Sequence, residues 1–366
     1  MELKIERELL LKPLQQVIGV VERRQTLPIL GNVLLKASDN ELSITATDLE
    51  IEMVSRIAVQ NNDFGETTLP ARKFIDICKA LPNDANLSIK IEGERATIRS
   101  GKSRFVLSTL PVSEFPNIDA FEPMVEFDIQ QKQLKKLIDR THFAMAQQDV
   151  RYYLNGLLFE FSENQIRVVA TDGHRLALSD AELETGVTEL QQVIVPRKAV
   201  MELARLLENS EEAVKIQLGS NHIRLITGDL SFITKLIDGR FPDYQRVVPQ
   251  GGDKIVIADR DQIHQALSRA SILSNEKYRS VRFTLSSGSL QVMANNPEQE
   301  EAEEEISVDY EGPSLEIGFN ASYVLDALNA IDDEQVRLEL TDQNSCCLIR
   351  SPKSDESRYV VMPMRL

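Results

Sequence analysis

The stretch "ITATDLEIEM", Ile44 to Met53, decides the fold because it is not alone. Its Ala46-Thr47-Asp48 becomes Ala170-Thr171-Asp172 in "VVATDGHRLA" (Val168 to Ala177), 124 positions later. After another 124 positions comes Ala294-Asn295-Asn296 in "QVMANNPEQE" (Gln291 to Glu300). A three-residue match is weak alone, so other landmarks must keep the period. Lys73 in "LPARKF" is echoed by Lys198 in "VPRKAV", and Ser322 in "FNASYV" follows at a further 124. Phe105 in "SRFVLSTLP", Phe232 in "SFITKLI" and Tyr359 in "SRYVVMP" are spaced by 127 each time. The chain is therefore three diverged copies of about 122 residues. The Phe-Pro segments "EFPNIDAFEP" (114–123) and "RFPDYQRVVP" (240–249) read as linkers, placing domains at 1–125, 126–250 and 251–366.

Within each copy helical and strand periodicities alternate. Helical spacing joins Leu10, Leu14, Val17, Ile18 and Val21, then Phe74, Ile77, Cys78 and Leu81. The second copy offers Leu134, Leu137 and Ile138, then Val200, Leu203, Ala204 and Leu207. The third offers Ile263, Ala266, Leu267 and Ala270, then Val324, Leu325, Leu328 and Ile331. Strand alternation marks "ELSITAT", "NLSIKIEG", "ATIRSG", "QIRVVAT", "HIRLITG" and "SLQVMAN". Two amphipathic helices packed on sheet make each copy a two-layer α+β domain.

The chain has 366 residues and 42% hydrophobic content, enough for several cores. It shows no apolar signal region and no run long enough to span a membrane, so a cytoplasmic protein is expected. Cys78, Cys346 and Cys347 form neither a disulfide framework nor a CxxC site and read as small apolar residues. The formal charge of −16 argues against a protein that coats nucleic acid over its whole surface. Its distribution matters more. "IQQKQLKKLIDRTH" carries Lys132, Lys135, Lys136 and Arg140 against Asp139, and the second-helix starts carry Arg72-Lys73 and Arg197-Lys198. Such a face is either a solvated helix surface or a phosphate contact without sequence preference. Acids prevail elsewhere, with six glutamates in the nine residues Glu298 to Ile306. Tyr152 and Tyr153 either pack a corner or touch sugar-phosphate and bases.

Asp172 and His174 raise the question of catalysis. None of the four histidines stands at ligand spacing, and there is no phosphate-binding glycine loop and no serine elbow. The equivalent slots hold Leu49-Glu50 and Pro297-Glu298, so Thr-Asp reads as turn chemistry. No catalytic residue, metal site or cofactor is expected.

"QTLPILGN" (25–32), "QDVRYYLNG" (148–156), "ATDGHRLA" (170–177), "DGRFPDYQRV" (238–247), "ILSNEKYR" (272–279), "NNPEQEEAEE" (295–304) and "YVVMPMRL" (359–366) carry a resemblance. On these residues the chain is similar to the bacterial sliding-clamp family, the beta subunit of DNA polymerase III, from end to end. The resemblance implies a DNA-clamp fold and a head-to-tail homodimer ring around duplex DNA, with helices lining the hole. It places Arg24, Gln148, Arg151, Tyr152, Tyr153, Arg197 and Lys198 toward DNA. It places Phe105 and Leu107 against Ile272 and Leu273 at the subunit interface, and Lys73, Arg95 and Lys102 opposite Glu298, Glu300 and Glu304. It also implies a docking pocket for short Gln-Leu-x-Leu-Phe-like peptides. That pocket would use Leu154, Thr171, Gly173, His174, Arg175, Leu176, Pro242, Arg246, Val247, Val360, Val361, Met362, Pro363, Met364, Arg365 and Leu366. Asn344 and Cys346 stand on one wall, where the family pattern has an aliphatic and a small residue. The implied partners are replicative and translesion polymerases, the clamp loader and mismatch-repair factors, at the nucleoid.

Overall fold

The computed structural model describes residues 2–21, 27–38, 40–59, 64–116 and 122–365. Among these the same order of elements occurs three times. The first copy contains β1 (Glu2–Glu6), α1 (Arg7–Val17), β2 (Asn32–Ser38), β3 (Glu41–Thr47), β4 (Ile51–Ala58), β5 (Gly65–Pro70), α2 (Ala71–Ala80), β6 (Asn86–Glu92), β7 (Arg95–Ser100) and β8 (Ser103–Ser108). The second contains β9 (Val125–Gln130), α3 (Gln131–Asp139), β10 (Gly156–Ser162), β11 (Gln165–Thr171), β12 (Arg175–Glu182), β13 (Gln191–Pro196), α4 (Arg197–Leu206), β14 (Ala213–Leu218), β15 (His222–Thr227) and β16 (Leu230–Lys235). The third contains β17 (Lys254–Asp259), α5 (Arg260–Ala270), β18 (Ser280–Ser286), β19 (Ser289–Asn295), β20 (Glu301–Ser307), β21 (Leu315–Asn320), α6 (Ala321–Asn329), β22 (Gln335–Leu340), β23 (Cys347–Arg350) and β24 (Ser357–Val361).

Each helix starts on the residue after a strand, with no intervening loop. Asp259 caps α5 by accepting the Gln262 N–H, and Asn320 caps α6 by accepting the Ser322 N–H. Pro70 and Pro196 end β5 and β13, which lie at sheet edges where a missing N–H breaks no ladder. The apolar stripes are buried as their spacing requires: Leu10, Leu14 and Val17 on α1, Leu134, Leu137 and Ile138 on α3, and Ile263, Ala266 and Leu267 on α5. Each large aliphatic side chain so buried contributes about 1.5–3 kcal/mol. The repeat extends to single hydrogen bonds. The first helical N–H donates 2.8 Å to a carbonyl seven or more decades of sequence apart in every copy: Arg7 to Ala85, Gln131 to Glu212 and Arg260 to Glu334.

The described residues gather into two compact units, one from residues up to 132 with 205–236, the other from 133–204 with 237 onward. The first holds a four-stranded sheet, β1-β6-β7-β8, and an eight-stranded sheet, β5-β2-β3-β4-β16-β15-β14-β9. The second holds an eight-stranded sheet, β13-β10-β11-β12-β24-β23-β22-β17, and a four-stranded sheet, β20-β19-β18-β21. The units cut across the middle copy because strands of neighbouring copies share a ladder. β4 pairs antiparallel with β16, setting Met53 opposite Phe232, and β12 pairs with β24, setting Ala177 opposite Tyr359. These are the same repeat positions, so both joints have one register.

Copy three departs in its central hairpin. Thr47 pairs with Glu52 and Thr171 with Leu176, but Asn295 pairs with Glu301, which makes that turn one residue longer. Ala302 consequently occupies the place of Met53 and Ala177. "RFPDYQRVVP" is not the spacer its composition suggests: Phe241 and Tyr244 are buried in a core cluster with Leu158, Val169, Leu178 and Val360.

Candidate docking cavity and surfaces

The Thr-Asp pair builds one turn twice. The Asp48 carboxylate accepts the Glu50 and Ile51 N–H groups at 2.9 and 2.7 Å; Asp172 accepts those of His174 and Arg175 at 2.9 and 3.0 Å. The Thr47 and Thr171 hydroxyls donate to the Ile51 and Arg175 carbonyls. The residue after the aspartate has a left-handed φ in both copies, 79° at Leu49 and 89° at Gly173. Asp172 is thus occupied by backbone donors, as turn chemistry requires and acid–base chemistry does not. Among the described residues no group of three or more His, Cys, Asp or Glu side chains could hold a metal ion.

Beside this turn lies an apolar cavity of about 150 Å³. Nine residues expected at the pocket line it: Leu154, Thr171, Gly173, Arg175, Leu176, Pro242, Val247, Val360 and Met362. Leu176 comes from β12 and Val360 from β24, so the strand joint itself forms the floor. A second, open depression of about 690 Å³ gathers Asn344, Pro363, Met364 and Arg365 with Glu316, Ile317 and Gly318. There the Met364 N–H donates to the Gly318 carbonyl at 2.8 Å and lays the tail along β21. His174 is exposed, and its carbonyl accepts the Met362 N–H at 2.9 Å. Arg246 stands in solvent, paired to Asp243 at 2.8 Å. Cys346 is half-buried, packs on the core cluster and has its thiol pKa raised by burial. Val361 is buried, on the opposite side of the strand from Val360. Leu366 lies outside the described residues.

Arg175 is a staple rather than a free ligand. Its guanidinium donates to Asp172 at 3.1 Å, Asp326 at 2.5 Å and the Phe143 carbonyl at 2.7 Å, and lies 4.5 Å from the Tyr323 ring centre. It ties the hairpin to α6, 151 residues away in sequence. Two cavity residues escape the sequence reading. Tyr244 forms part of the wall, and Arg151, expected toward DNA, stands over Gly173 and lines the cavity too. No spacing announces either, since both arrive on loops whose placement is tertiary.

Among the described residues, the first copy has the same joint beside an open polar groove. At the 124 step Glu52 replaces Leu176 and Thr45 replaces Val169, and both line an open polar groove. Among the described residues, it is the second joint that presents an apolar floor.

Of the residues expected toward DNA, Gln148, Arg151, Tyr152 and Tyr153 share one loop. It is pinned where the Asp149 N–H donates to the Asn155 side chain and the Asn155 amide donates back, both at 2.9 Å. Tyr152 is exposed, whereas Tyr153 packs on the core cluster. The Arg151 side chain and N–H hold the Asp149 carboxyl down to a pKa of about 2. Arg197 and Lys198 open α4 and are half-buried; Arg197 donates to the Met145 carbonyl at 3.3 Å. Burial and nearby Arg175 lower the Arg197 pKa. Arg24 lies outside the described residues.

The basic face of α3 is less open than its composition implies. Lys132 pairs with Glu211, Lys135 with Asp139, Lys136 with Glu356, and Arg140 with Asp332 and Glu356. Each of these pairs has at least one exposed partner, so each is weak and screened by salt. At the expected subunit interface Phe105 and Leu107 are half-buried on β8, and Lys73, Arg95 and Lys102 are exposed. Ile272 is 74% exposed, Leu273 is half-buried, and Glu298 and Glu300 are exposed. Glu304 is engaged within the chain by Arg269 through two 2.7 Å hydrogen bonds.

Sequence profiles match the whole length in three parts: the DNA polymerase III beta subunit N-terminal domain at 1–119, central domain at 128–243 and C-terminal domain at 245–365. The beta sliding clamp of Pseudomonas putida is 56% identical, and that of Escherichia coli (strain K12) 54% identical, each covering 100% of both chains. The crystal structure of the DNA polymerase III subunit beta from Pseudomonas aeruginosa superposes with a TM-score of 0.98 at 55% identity, again over 100% of both chains. No helix among the described residues is long and apolar enough to cross a membrane. A three-fold repeat matched by three family profiles and by full-length relatives places this chain in the DNA polymerase III beta subunit family, the sliding clamps, which are non-catalytic processivity factors of DNA replication.

Proposed function

We propose that two copies join head to tail through β20 of one and β8 of the other, closing a ring around duplex DNA. The observation that carries this is the strand joint. Each copy has eight strands, and its fourth pairs with the eighth of the next: β4 with β16, then β12 with β24. The same rule leaves β20 to seek the eighth strand of another chain. A heterologous contact of this kind repeats until it closes. Carrying the common register across, with the longer hairpin allowed for, sets Ala302 opposite Phe105 of the partner subunit and Glu303 opposite Arg104 of the partner subunit. Apolar faces apolar and acid faces base, which favours correct pairing. Ile272 and Leu273 then cover Phe105 and Leu107 of the partner subunit, and Glu298, Glu300 and Glu304 approach its Lys73, Arg95 and Lys102. The same reading divides the chain at 125, where β9 begins, and at 250, between β16 and β17.

Within such a ring DNA is retained by enclosure. Arg24, Gln148, Arg151, Tyr152, Arg197 and Lys198 make exchangeable contacts to phosphates spaced at about 1.7 Å of axis, so the ring slides. The apolar cavity and the tail depression take linear peptides of replicative and translesion polymerases, the clamp loader and mismatch-repair factors, in the cytoplasm at the nucleoid. Methionines Met362 and Met364 suit varied occupants. The test is retention on closed circular DNA after loading: linearisation should release the protein from the ends. A 41.3 kDa monomer at micromolar concentration, or retention on linear DNA, overturns the ring.

A further inference from the structure

We propose that a polar latch, Glu160–Tyr244–Arg167–Asp180, holds the docking cavity in its binding shape, which makes Glu160 and Arg167 positioning residues for peptide capture. This rests on the peptide-docking reading of the cavity.

The segment 237–248 crosses one face of the second eight-stranded sheet without adding a strand to it. Its backbone is tied at one end, where the Ile237 N–H donates to the Ile194 carbonyl at 2.9 Å. At the other end the Val247 and Val248 N–H groups bond back to the Tyr244 carbonyl, within the segment itself. Between these points side chains hold it. The Tyr244 hydroxyl donates to Glu160 at 2.5 Å and accepts from Arg167 at 3.4 Å. The other Glu160 oxygen accepts from Gln192 at 2.5 Å. Arg167 grips Asp180 at 2.6 and 2.9 Å, and Arg358 donates to the same carboxylate at 3.0 Å.

Glu160 is 6% exposed on β10, with Arg167 on β11 and Gln192 on β13 as its cross-strand neighbours. A carboxylate there is tolerated only when its hydrogen bonds are met, so its partners are strongly held in place. Burial and the Glu160 carboxylate push the Tyr244 phenol upward, which keeps its proton available for donation. Tyr244 lines the cavity, and the same segment brings Pro242 and Val247 to its lining. The latch therefore reaches the ligand through one ring and two wall residues, while Glu160 and Arg167 stay outside the cavity.

The first copy provides an internal comparison. At the 124 step Lys36, Ser43 and Arg56 stand where Glu160, Arg167 and Asp180 stand, and they cannot reproduce the latch. That copy also has Glu52 and Thr45 on its floor. Latch and apolar cavity occur in the same repeat.

The experiment measures binding of a fluorescein-labelled Gln-Leu-Ala-Leu-Phe peptide by anisotropy, with native mass and amide exchange recorded on each full-length variant. Y244F and E160A should each weaken the peptide about five- to tenfold, and the double variant should be no weaker than either single one, because one device is removed. E160Q keeps an acceptor for the tyrosine and should recover binding to within about twofold of the parent. Exchange at the Val247 and Val248 amides should quicken in Y244F and E160A but not in E160Q. The proposal is overturned if Y244F, folded and of unchanged mass, binds within twofold of the parent, or if the losses simply add. Should E160A fail to fold, Y244F and E160Q decide the matter alone. If the parent protein does not bind the peptide, the docking reading fails instead.

Discussion

Gly173→Ala tests the turn and the cavity together. Gly173 has φ 89°, a left-handed conformation in which a Cβ costs about 1 kcal/mol. The chain supplies its own control, since Leu49 holds the same turn at φ 79° with equivalent Thr and Asp hydrogen bonds. The turn should survive. The new Cβ would lie 3.2 Å from both terminal nitrogens of Arg151, tighter than ordinary contact but against the end of a flexible side chain. Arg151 must shift by a few tenths of an ångström, against an exposed pairing with Asp149 at 2.8 Å. Differential scanning should therefore show a loss of about 2 °C or less, because about 1 kcal/mol is spread over a large chain. Anisotropy should show peptide binding weakened about three- to tenfold, which is about 0.6–1.4 kcal/mol, because Arg151 and Gly173 both border the cavity. Sedimentation should show no change. Unaltered peptide affinity would refute the role given to this edge of the cavity, and a melting loss above about 5 °C would refute the claim that Leu49 and Gly173 occupy interchangeable turns. Leu49→Gly should leave peptide binding untouched.

Three further outcomes follow from the geometry. The Asp149 carboxyl, depressed from 3.8 to about 2 by Arg151, contributes its loop contact fully above the ordinary carboxylate range and loses it as the pH falls toward 2. A carboxyl-carbon titration by NMR should place its midpoint near 2, and Arg151→Gln should return it toward 3.8. Reversing one charge with Glu303→Arg should weaken the dimer at least tenfold in low salt, and adding Arg104→Glu should restore much of it; sedimentation equilibrium with no recovery in the pair would reject the register. Removing Met364 to Leu366 should abolish peptide binding while sparing dimerisation, and equal loss of both would sink the tail's assignment to the docking surface.

Short-range features were legible without coordinates. The six helical stripes and the Thr-Asp turn depend on spacing of a few residues, where apolar periodicity and side-chain-to-backbone bonding act, and the repeat shows as recurrence of such short motifs. The resemblance placed nine cavity residues that do lie together. What spacing could not announce was long-range. Tyr244 became a wall and not a linker residue because Glu160 and Arg167 lie beneath it. Arg175 became a staple because Asp326, in another copy, reaches it. The bases of α3 proved paired because Glu211, Asp332 and Glu356 come from distant segments. By itself the sequence determined three copies of one α+β plan and the turns within them. The tertiary structure decided which strands fuse the copies, which joint has an apolar floor and which charges remain exposed. Those outcomes depend on ladder register and on partners far apart in sequence, from 77 to 220 residues, and neither leaves a periodic trace in the chain.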